Sequence, residues 1–103
     1  MFQKGTLNKR ILEDCSDDEA FWVNYGPVIK NLTELIDAVE KMRLYTFRYH
    51  VNQDNNKNDF ADWIRSSLED KKLAMKLEGV MDKDKYLEVL KERQKELRII
   101  KQD

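Results

Sequence analysis

The sequence predicts an all-α fold, a compact single-domain bundle of about five short helices, with a short extended aromatic segment near residues 20–26. Three observations lead to this prediction. Apolar residues recur three and four positions apart over most of the chain, as in helices with one buried face. Asn or Asp precedes most of these stripes, where its side chain can cap the first turn. The chain has 103 residues, three glycines and one proline, which suits one domain with few sharp turns.

The charge balance and the lack of long apolar runs argue against several partners. Lys and Arg number 19 against 20 Asp and Glu, so no basic excess indicates a nucleic-acid-binding protein. No apolar run approaches the roughly 20 residues that cross a bilayer, and the N-terminus has no secretory signal, so we expect no membrane contact. The single cysteine, Cys15, cannot form an internal disulfide, which favours a cytoplasmic protein.

Residues 1–18 are expected to form an N-terminal leader with one short helix, capped by Thr6. A single helical domain, residues 19–101, follows this leader. Its first part is the densest apolar patch, A-F-W-V-N-Y-G at residues 20–26, whose aromatic residues favour extended backbone. Because one strand is not stable alone, this segment either pairs with a second strand or lies across the helices. In both cases we expect its aromatic side chains in the core.

The clearest helix covers residues 31–42, because Asn31 and Glu34 have the spacing of a capping pair. Residues 44–51 fit two patterns, since aromatic residues alternate as in a strand while Leu44, Phe47 and Val51 share one helical face. We favour the helix here, because no glycine or proline separates this segment from the preceding helix. Residues 52–58, N-Q-D-N-N-K-N, are predicted to be a loop.

Three further helices are predicted after the Asn-rich loop. One is capped by Asn58 or Asp59, the next begins at Asp70 and ends at Gly79, and the last is capped by Asp82 or Asp84 and runs to about residue 100. The last helix buries an apolar stripe that Arg93 and Gln94 interrupt. This interruption indicates that the distal half of the helix projects beyond the core or meets a partner.

Several motifs resemble a small family of uncharacterised prokaryotic domains, found largely in archaea. They are F-W-V-N-Y-G-P-V-I-K-N-L-T-E-L (21–35), T-F-R-Y-H-V-N (46–52), N-D-F-A-D-W-I-R (58–65) and L-E-D-K-K-L-A-M-K-L (68–77). The resemblance covers about residues 20–100 and implies a compact helical domain, found alone or attached to larger proteins. It implies no activity. The chain departs from the pattern at Arg43, where the family has a small capping residue.

Six residues are candidates for binding a ligand, and we predict no catalytic residue, no metal ligand and no cofactor. His50 is either a base or metal ligand near Asp54 or Asp59, or a half-buried residue that holds the Asn-rich loop. A catalytic zinc site needs three protein ligands, which favours the structural interpretation. The tryptophans are either core residues or a stacking platform, and the polar candidates also suit helix caps. The six are Trp22, His50, Asn52, Asn58, Asp59 and Trp63.

These observations favour a non-enzymatic helical domain that acts as a protein-interaction or accessory domain. A protein partner or a second copy would contact the outer part of residues 86–100 and the loop 52–58. The alternative is a small-ligand or nucleotide-binding domain, with a pocket between residues 20–26 and the segment around His50 and Asp59. An enzyme that uses His50 and Asp59 has less support, because no phosphate-binding loop, nucleophile motif or metal motif occurs.

Overall fold

The computed structural model of the chain describes residues 13–102, and the side chains of residues 13–99. The leader helix that we expected falls mainly on residues 1–12, outside this range. After a 3-10 turn, the chain forms four short strands and five α-helices within the described range. These are the turn Asp17–Glu19, β1 (Phe21–Trp22), β2 (Val28–Ile29), α1 (Leu32–Lys41), α2 (Leu44–His50), β3 (Val51–Asn52), β4 (Lys57–Asn58), α3 (Asp59–Trp63), α4 (Lys71–Leu77) and α5 (Lys83–Gln102).

The fold is mostly helical, but the prediction of a purely all-α protein is wrong, because the chain also forms two small antiparallel sheets. In the first hairpin, β1 pairs with β2 so that Phe21 faces Ile29. In the second, β3 pairs with β4 so that Val51 faces Asn58, and the residues predicted to be a loop are its turn. The predicted extended segment contains β1, and its pairing with a second strand is one of the two arrangements that we expected. The sequence did not indicate β2, β3 and β4, because strands of two residues are too short to show an alternating pattern.

The helices pack around one apolar core. Helix α1 lies against α5, and α4 lies against both α5 and the π-helical turn Ile64–Leu68 that follows α3. The predicted cap of α1 is confirmed, because the Asn31 side chain accepts a hydrogen bond from the Glu34 N–H at 2.7 Å. The largest fully buried side chains are Tyr86, Phe47, Phe60, Ile29, Leu32, Leu35, Ile64, Leu68, Leu73, Leu77, Leu90 and Leu97.

The segment 44–51 is helical up to His50, as we predicted, and becomes extended at Val51. Its inner face carries Phe47 and His50, which are both buried. Its outer face carries Leu44, Tyr45, Arg48 and Tyr49, which are all exposed. The strand-like alternation of aromatic residues therefore does not separate buried from exposed side chains in this segment.

The first hairpin places its aromatic side chains on both of its faces. Phe21 points inward and contacts the rings of His50, Phe60 and Trp63. The neighbouring Trp22 points outward and is 74% exposed, and Tyr25 at the turn is 99% exposed. The prediction that these two aromatic residues belong to the core is wrong. Trp22 follows the inward Phe21 in the strand and therefore faces outward, and Tyr25 lies in the turn beyond the strand.

The interruption in the stripe of α5 is explained within the chain. Arg93 is buried, and its Nε and one terminal nitrogen donate to the carboxylate of Asp70 at 2.8 and 3.1 Å. Gln94 donates to the hydroxyl of Thr33 at 2.7 Å. Leu97, farther along α5, is completely buried. The helix therefore stays against the core at least up to Leu97, and over this stretch the prediction that its distal half leaves the core is wrong.

Candidate functional site

His50 is the centre of a buried polar contact that joins three segments of the chain. It is 4% exposed and lies at the end of α2. Its Nε2 accepts a hydrogen bond from the backbone N–H of Asn24 at 3.0 Å, in the turn of the first hairpin. Its Nδ1 lies 2.9 Å from a carboxylate oxygen of Asp59, the first residue of α3. One imidazole thus holds the first hairpin, α2 and α3 together.

These partners define the protonation of the ring. A backbone N–H only donates, so Nε2 must present its lone pair to Asn24. The proton of the neutral imidazole therefore lies on Nδ1 and is donated to Asp59. Both ring nitrogens of His50 are engaged within the chain, and the ring contacts those of Phe21, Tyr49 and Phe60. The contact is suited to holding the fold in place, since neither nitrogen faces a cavity.

Asn58, at the end of the second hairpin, connects that hairpin to the helices as His50 connects the first. Its side-chain oxygen caps α3 by accepting from the Ala61 N–H at 3.3 Å, and it also accepts from the Tyr86 hydroxyl at 2.5 Å. Its amide nitrogen donates to the carbonyl of Leu77 at 3.0 Å. Burial, which is the largest cause, raises the pKa of Tyr86 far above that of a free phenol. Asn58 therefore connects the hairpin to α3, α4 and α5.

The remaining candidate residues do not gather around one pocket. Asn52 accepts from the Asn55 N–H at 3.3 Å within the second hairpin. Asp59 pairs with His50 and, at 3.3 Å, with Lys57. Trp63 is buried and donates its indole N–H to the carbonyl of Glu19 at 2.6 Å. Of the six candidates, Trp22 alone projects into solvent, and it lies on the outer face of the first hairpin.

A polar groove of about 480 Å³ lies beside the second hairpin. Its cations have partners within the chain, because Lys57 pairs with Asp59, and Arg65 pairs with Asp62 at 3.2 Å and with Glu78 at 2.8 Å. Asn58 lies on the wall of this groove, whereas His50 does not. The groove therefore differs from the pocket that the sequence suggested between residues 20–26 and His50.

A second feature, which we call the aromatic surface, consists of Trp22, Tyr25, Tyr45 and Tyr49. Tyr45 is 70% exposed and Tyr49 about half exposed, and the two lie one turn apart on the outer face of α2. Tyr25 and Tyr45 both line an aromatic groove of about 310 Å³, together with Pro27, Met42 and Arg43. Trp22 faces Val28 across the hairpin, and Val28 lines the adjoining depression along α1.

The backbone of Tyr25 shows that the fold does not require a tyrosine there. Its φ is 56°, in the left-handed region that favours glycine and asparagine. The turn is closed by a hydrogen bond from the Gly26 N–H to the Val23 carbonyl at 2.9 Å. A tyrosine in this conformation costs about 1 kcal/mol relative to glycine. Because its side chain is 99% exposed, no packing within the described part of the chain offsets that cost.

The charged residues within the two elements that carry the aromatic surface are all positive. Residues 20–29 and 41–53, which form the first hairpin and the region of α2, contain Lys41, Arg43 and Arg48 but no Asp or Glu. Lys41 pairs with Asp37 at 3.2 Å. Within residues 13–99, the exposed guanidinium groups of Arg43 and Arg48 contact no carboxylate. Arg43 precedes α2 as its N-terminal cap, with no side-chain capping bond.

The sequence interpretation missed Tyr25, Tyr45 and Tyr49 as exposed candidates. For Tyr25, a signal was present in N-Y-G, where a tyrosine occupies a turn that glycine and asparagine usually fill. For Tyr45 and Tyr49 the helical interpretation of 44–51 already placed them opposite Phe47 and Val51. Treating aromatic residues as core by default concealed both signals.

The described part of the chain lacks a metal-binding cluster and a membrane-spanning helix. Among its side chains, no group of three or more His, Cys, Asp or Glu residues is placed to hold a metal ion. No helix within residues 13–102 combines the length and the apolar character needed to cross a bilayer.

The comparisons with known proteins identify a family. No curated protein and no solved structure matches the chain significantly. The model of a family of unknown function, DUF5752, matches residues 29–103, about three quarters of the sequence. The match includes Tyr45 and Tyr49 and begins after the segment that carries Trp22 and Tyr25. The chain therefore belongs to the DUF5752 family of unknown function, which confirms the resemblance to an uncharacterised domain family.

Proposed function

We propose that this chain is a non-enzymatic protein-interaction domain and that the aromatic surface is where its partner docks. The observation that supports it most directly is Tyr25, a fully exposed aromatic side chain on a left-handed backbone. The turn explains the left-handed backbone but not the choice of tyrosine, and no core packing explains that choice either. Such a strained residue is a reason to look for a function outside the chain. A partner that covers Tyr25 would supply the packing that offsets this strain.

The composition of the surface also supports protein contact. Tyrosine and tryptophan are enriched at the centres of protein interfaces, where they bury large apolar areas and lose few rotamers. Trp22, Tyr25, Tyr45 and Tyr49 occupy two adjoining elements, and Leu44 and Val28 add exposed apolar area beside them. The other large exposed apolar side chains among the described residues are Met75 and Ile99, which lie on α4 and α5.

The aromatic surface has more support than the contact regions that the sequence suggested. The outer part of 86–100 was favoured because Arg93 and Gln94 interrupt its stripe, and both side chains have partners inside the chain. The turn of 52–58 is polar, and its left-handed residue, Asn56, is of a type that such turns favour. The single cysteine remains consistent with a partner in the reducing cytoplasm.

Site-specific photo-crosslinking in the source cells tests this proposal. A photoreactive phenylalanine derivative replaces Tyr25 or Tyr45 in two variants, and in two control variants it replaces Met75 or Ile99, which are also exposed. We expect Tyr25 and Tyr45 to give the same discrete adduct, with another protein or with a second copy, and the controls to lack it. Adducts that are absent from both tyrosine positions, or equally abundant at all four, would contradict the proposal.

A further inference from the structure

We propose that the occupant of the aromatic surface is an extended acidic segment of a partner protein. Its carboxylates would pair with Arg43 and Arg48, and one of its apolar side chains would enter the aromatic groove between Tyr25 and Tyr45. This inference rests on the proposed function and specifies the chemistry of the partner. The charges on the two elements that form the surface are its main argument.

The local charge differs from that of the whole chain. Asp and Glu number 20 against 19 Lys and Arg in the whole sequence, yet residues 20–29 and 41–53 contain no acid. The nearest carboxylate on α1 that lines the groove, Asp37, is paired with Lys41. Arg43 and Arg48 thus remain exposed and make no ion pair within residues 13–99, although Asp54 lines a depression together with Arg48. Complementary charge on the partner would steer its approach and determine its orientation.

The arginines lie among the aromatic rings. Arg48 follows Leu44 by four residues and Tyr45 by three, so it shares the outer face of α2 with both. Arg43 lines the aromatic groove together with Tyr25 and Tyr45. A carboxylate that pairs with either guanidinium would therefore place its neighbouring side chains against tyrosine. Guanidinium groups bind carboxylates through two parallel hydrogen bonds, which favours this pairing.

The size of the groove favours a narrow segment of chain. At about 310 Å³ it is at the lower end of the volumes that enclose a ligand, so it accepts one or two side chains. It is also open to solvent along the hairpin turn, where Pro27 adjoins the depression lined by Val28 and Ile29. An extended segment can place one apolar side chain in the groove, whereas a folded surface would contact only the tips of the tyrosine rings.

A single-stranded nucleic acid also combines negative charge with groups that stack on aromatic rings, but it is less well matched. Such binding needs a positive groove that follows several phosphates in succession. This surface offers Arg43 and Arg48, while Glu34 and Asp37 line the continuation of the groove along α1. The net charge of the chain is −1, which gives no general attraction to a polyanion.

Selection from a displayed library of random 12-residue peptides tests the inference directly. The wild-type chain serves as bait. A counter-selection against the variant Trp22→Ser/Tyr25→Ser/Tyr45→Ser removes peptides that bind outside the aromatic surface. We expect the retained peptides to be acidic and to contain an apolar or aromatic residue. Synthetic copies with a fluorescent label then give dissociation constants by fluorescence polarisation.

Charge variants provide the matched control. In Arg43→Glu/Arg48→Glu we expect the dissociation constants to rise about tenfold, because two attractions become repulsions. In Lys95→Glu/Arg98→Glu, which changes the net charge equally on exposed positions of α5, we expect a change of less than about twofold. Arg43→Lys/Arg48→Lys should retain most of the binding. Circular dichroism confirms that each variant is folded.

The outcomes separate the inference from the proposed function. Peptides that need the aromatic residues but are neutral or basic, and that bind Arg43→Glu/Arg48→Glu equally well, overturn the inference and leave the proposed function in place. Retention of no peptide overturns the inference, and the photo-crosslinking result then decides the proposed function independently. The third outcome is that no peptide binds, but labelled single-stranded dT12 or U12 binds through Arg43 and Arg48. This outcome overturns the inference and favours a nucleic acid as the partner.

Discussion

The two hairpins have the same construction but differ in what their turns expose. Each has two residues in each strand, and each is tied to the core by one polar side chain, the buried His50 for the first hairpin and the half-buried Asn58 for the second. Each turn also contains one residue with a left-handed backbone, Tyr25 at φ 56° and Asn56 at φ 51°. The second turn uses a residue type that this conformation favours, and the first does not.

This difference separates the residues that the fold requires from those that it does not. Every unusual residue of the second hairpin has a local explanation, since Asn52 and Asn58 accept backbone hydrogen bonds and Asn56 suits its conformation. In the first hairpin, Phe21 is explained by its contacts with the core, whereas Trp22 and Tyr25 are not. Residues that the fold does not explain are the ones to examine for function. Three predictions test this comparison of the two hairpins.

The largest expected effect concerns the anchor of the first hairpin. We expect His50→Ala to lower the free energy of unfolding by about 3 kcal/mol, because it leaves a cavity beside Phe21 and Phe60 and removes the partners of Asn24 and Asp59. Urea unfolding measures the loss. Hydrogen exchange at the Asn24 amide provides a local measure, since that N–H becomes unprotected.

The variant His50→Phe is the control for packing. It retains a ring of similar size but cannot hydrogen bond, so we expect a loss of about 2 kcal/mol. Wild-type stability in this variant would show that the polar contacts of His50 do not hold the hairpin. In that case the hairpins would differ in their anchors as well as in their turns.

The second prediction concerns the alkaline stability of the other anchor. Burial raises the folded pKa of Tyr86, whose unfolded value is about 10.0. A raised pKa contributes stability that is fully present below the unfolded pKa and is lost as the pH rises above it. Between pH 9 and pH 11 we expect wild type to lose about 1.4 kcal/mol more than Tyr86→Phe, measured by urea unfolding.

Parallel curves for wild type and Tyr86→Phe over this pH range would contradict the prediction. They would mean that the Tyr86 hydroxyl ionises as easily in the folded chain as in the unfolded one. The hydrogen bond to Asn58 would then not be a closed, buried contact, and the second hairpin would be less firmly attached than the structure indicates.

The smallest expected effect compares the two turns directly. We expect Tyr25→Gly to raise the free energy of unfolding by up to about 1 kcal/mol, because glycine adopts the left-handed conformation without strain. Asn56→Gly should change it by less than about 0.5 kcal/mol, because asparagine already tolerates that conformation. Chemical unfolding of both variants provides the measurement. If Tyr25→Gly is destabilising, then Tyr25 stabilises this chain and the main support for the proposed function is lost.

The sequence predicted what depends on neighbouring residues. The starts of α1, α3, α4 and α5 follow from Asn31, Asn58, Asp70 and Asp82, whose side chains bond a backbone N–H three residues ahead. The end of α4 follows from Gly79, which has a φ of 78°. These signals lie within one turn of the boundary that they specify, so no tertiary information was needed.

What the sequence could not predict depends on distant partners. The counter-ion of Arg93 is Asp70, 23 residues earlier, and this explains a charge within an apolar stripe. The His50 ring receives the N–H of Asn24, 26 residues away. Neither pairing leaves a periodic pattern. The same holds for the two hairpins, whose two-residue strands persist because tertiary contacts hold them.

The link between His50 and Asn24 has a consequence for recognition. Asn24 adjoins Tyr25, while the helix that ends at His50 carries Tyr45 and Tyr49. The hydrogen bond from Asn24 to His50 therefore fixes the relative position of the two halves of the aromatic surface before a partner binds. Such preorganisation reduces the conformational entropy lost on association. The domain should meet its partner as a rigid body, with a single kinetic phase and an association rate constant of roughly 10⁵–10⁷ M⁻¹s⁻¹.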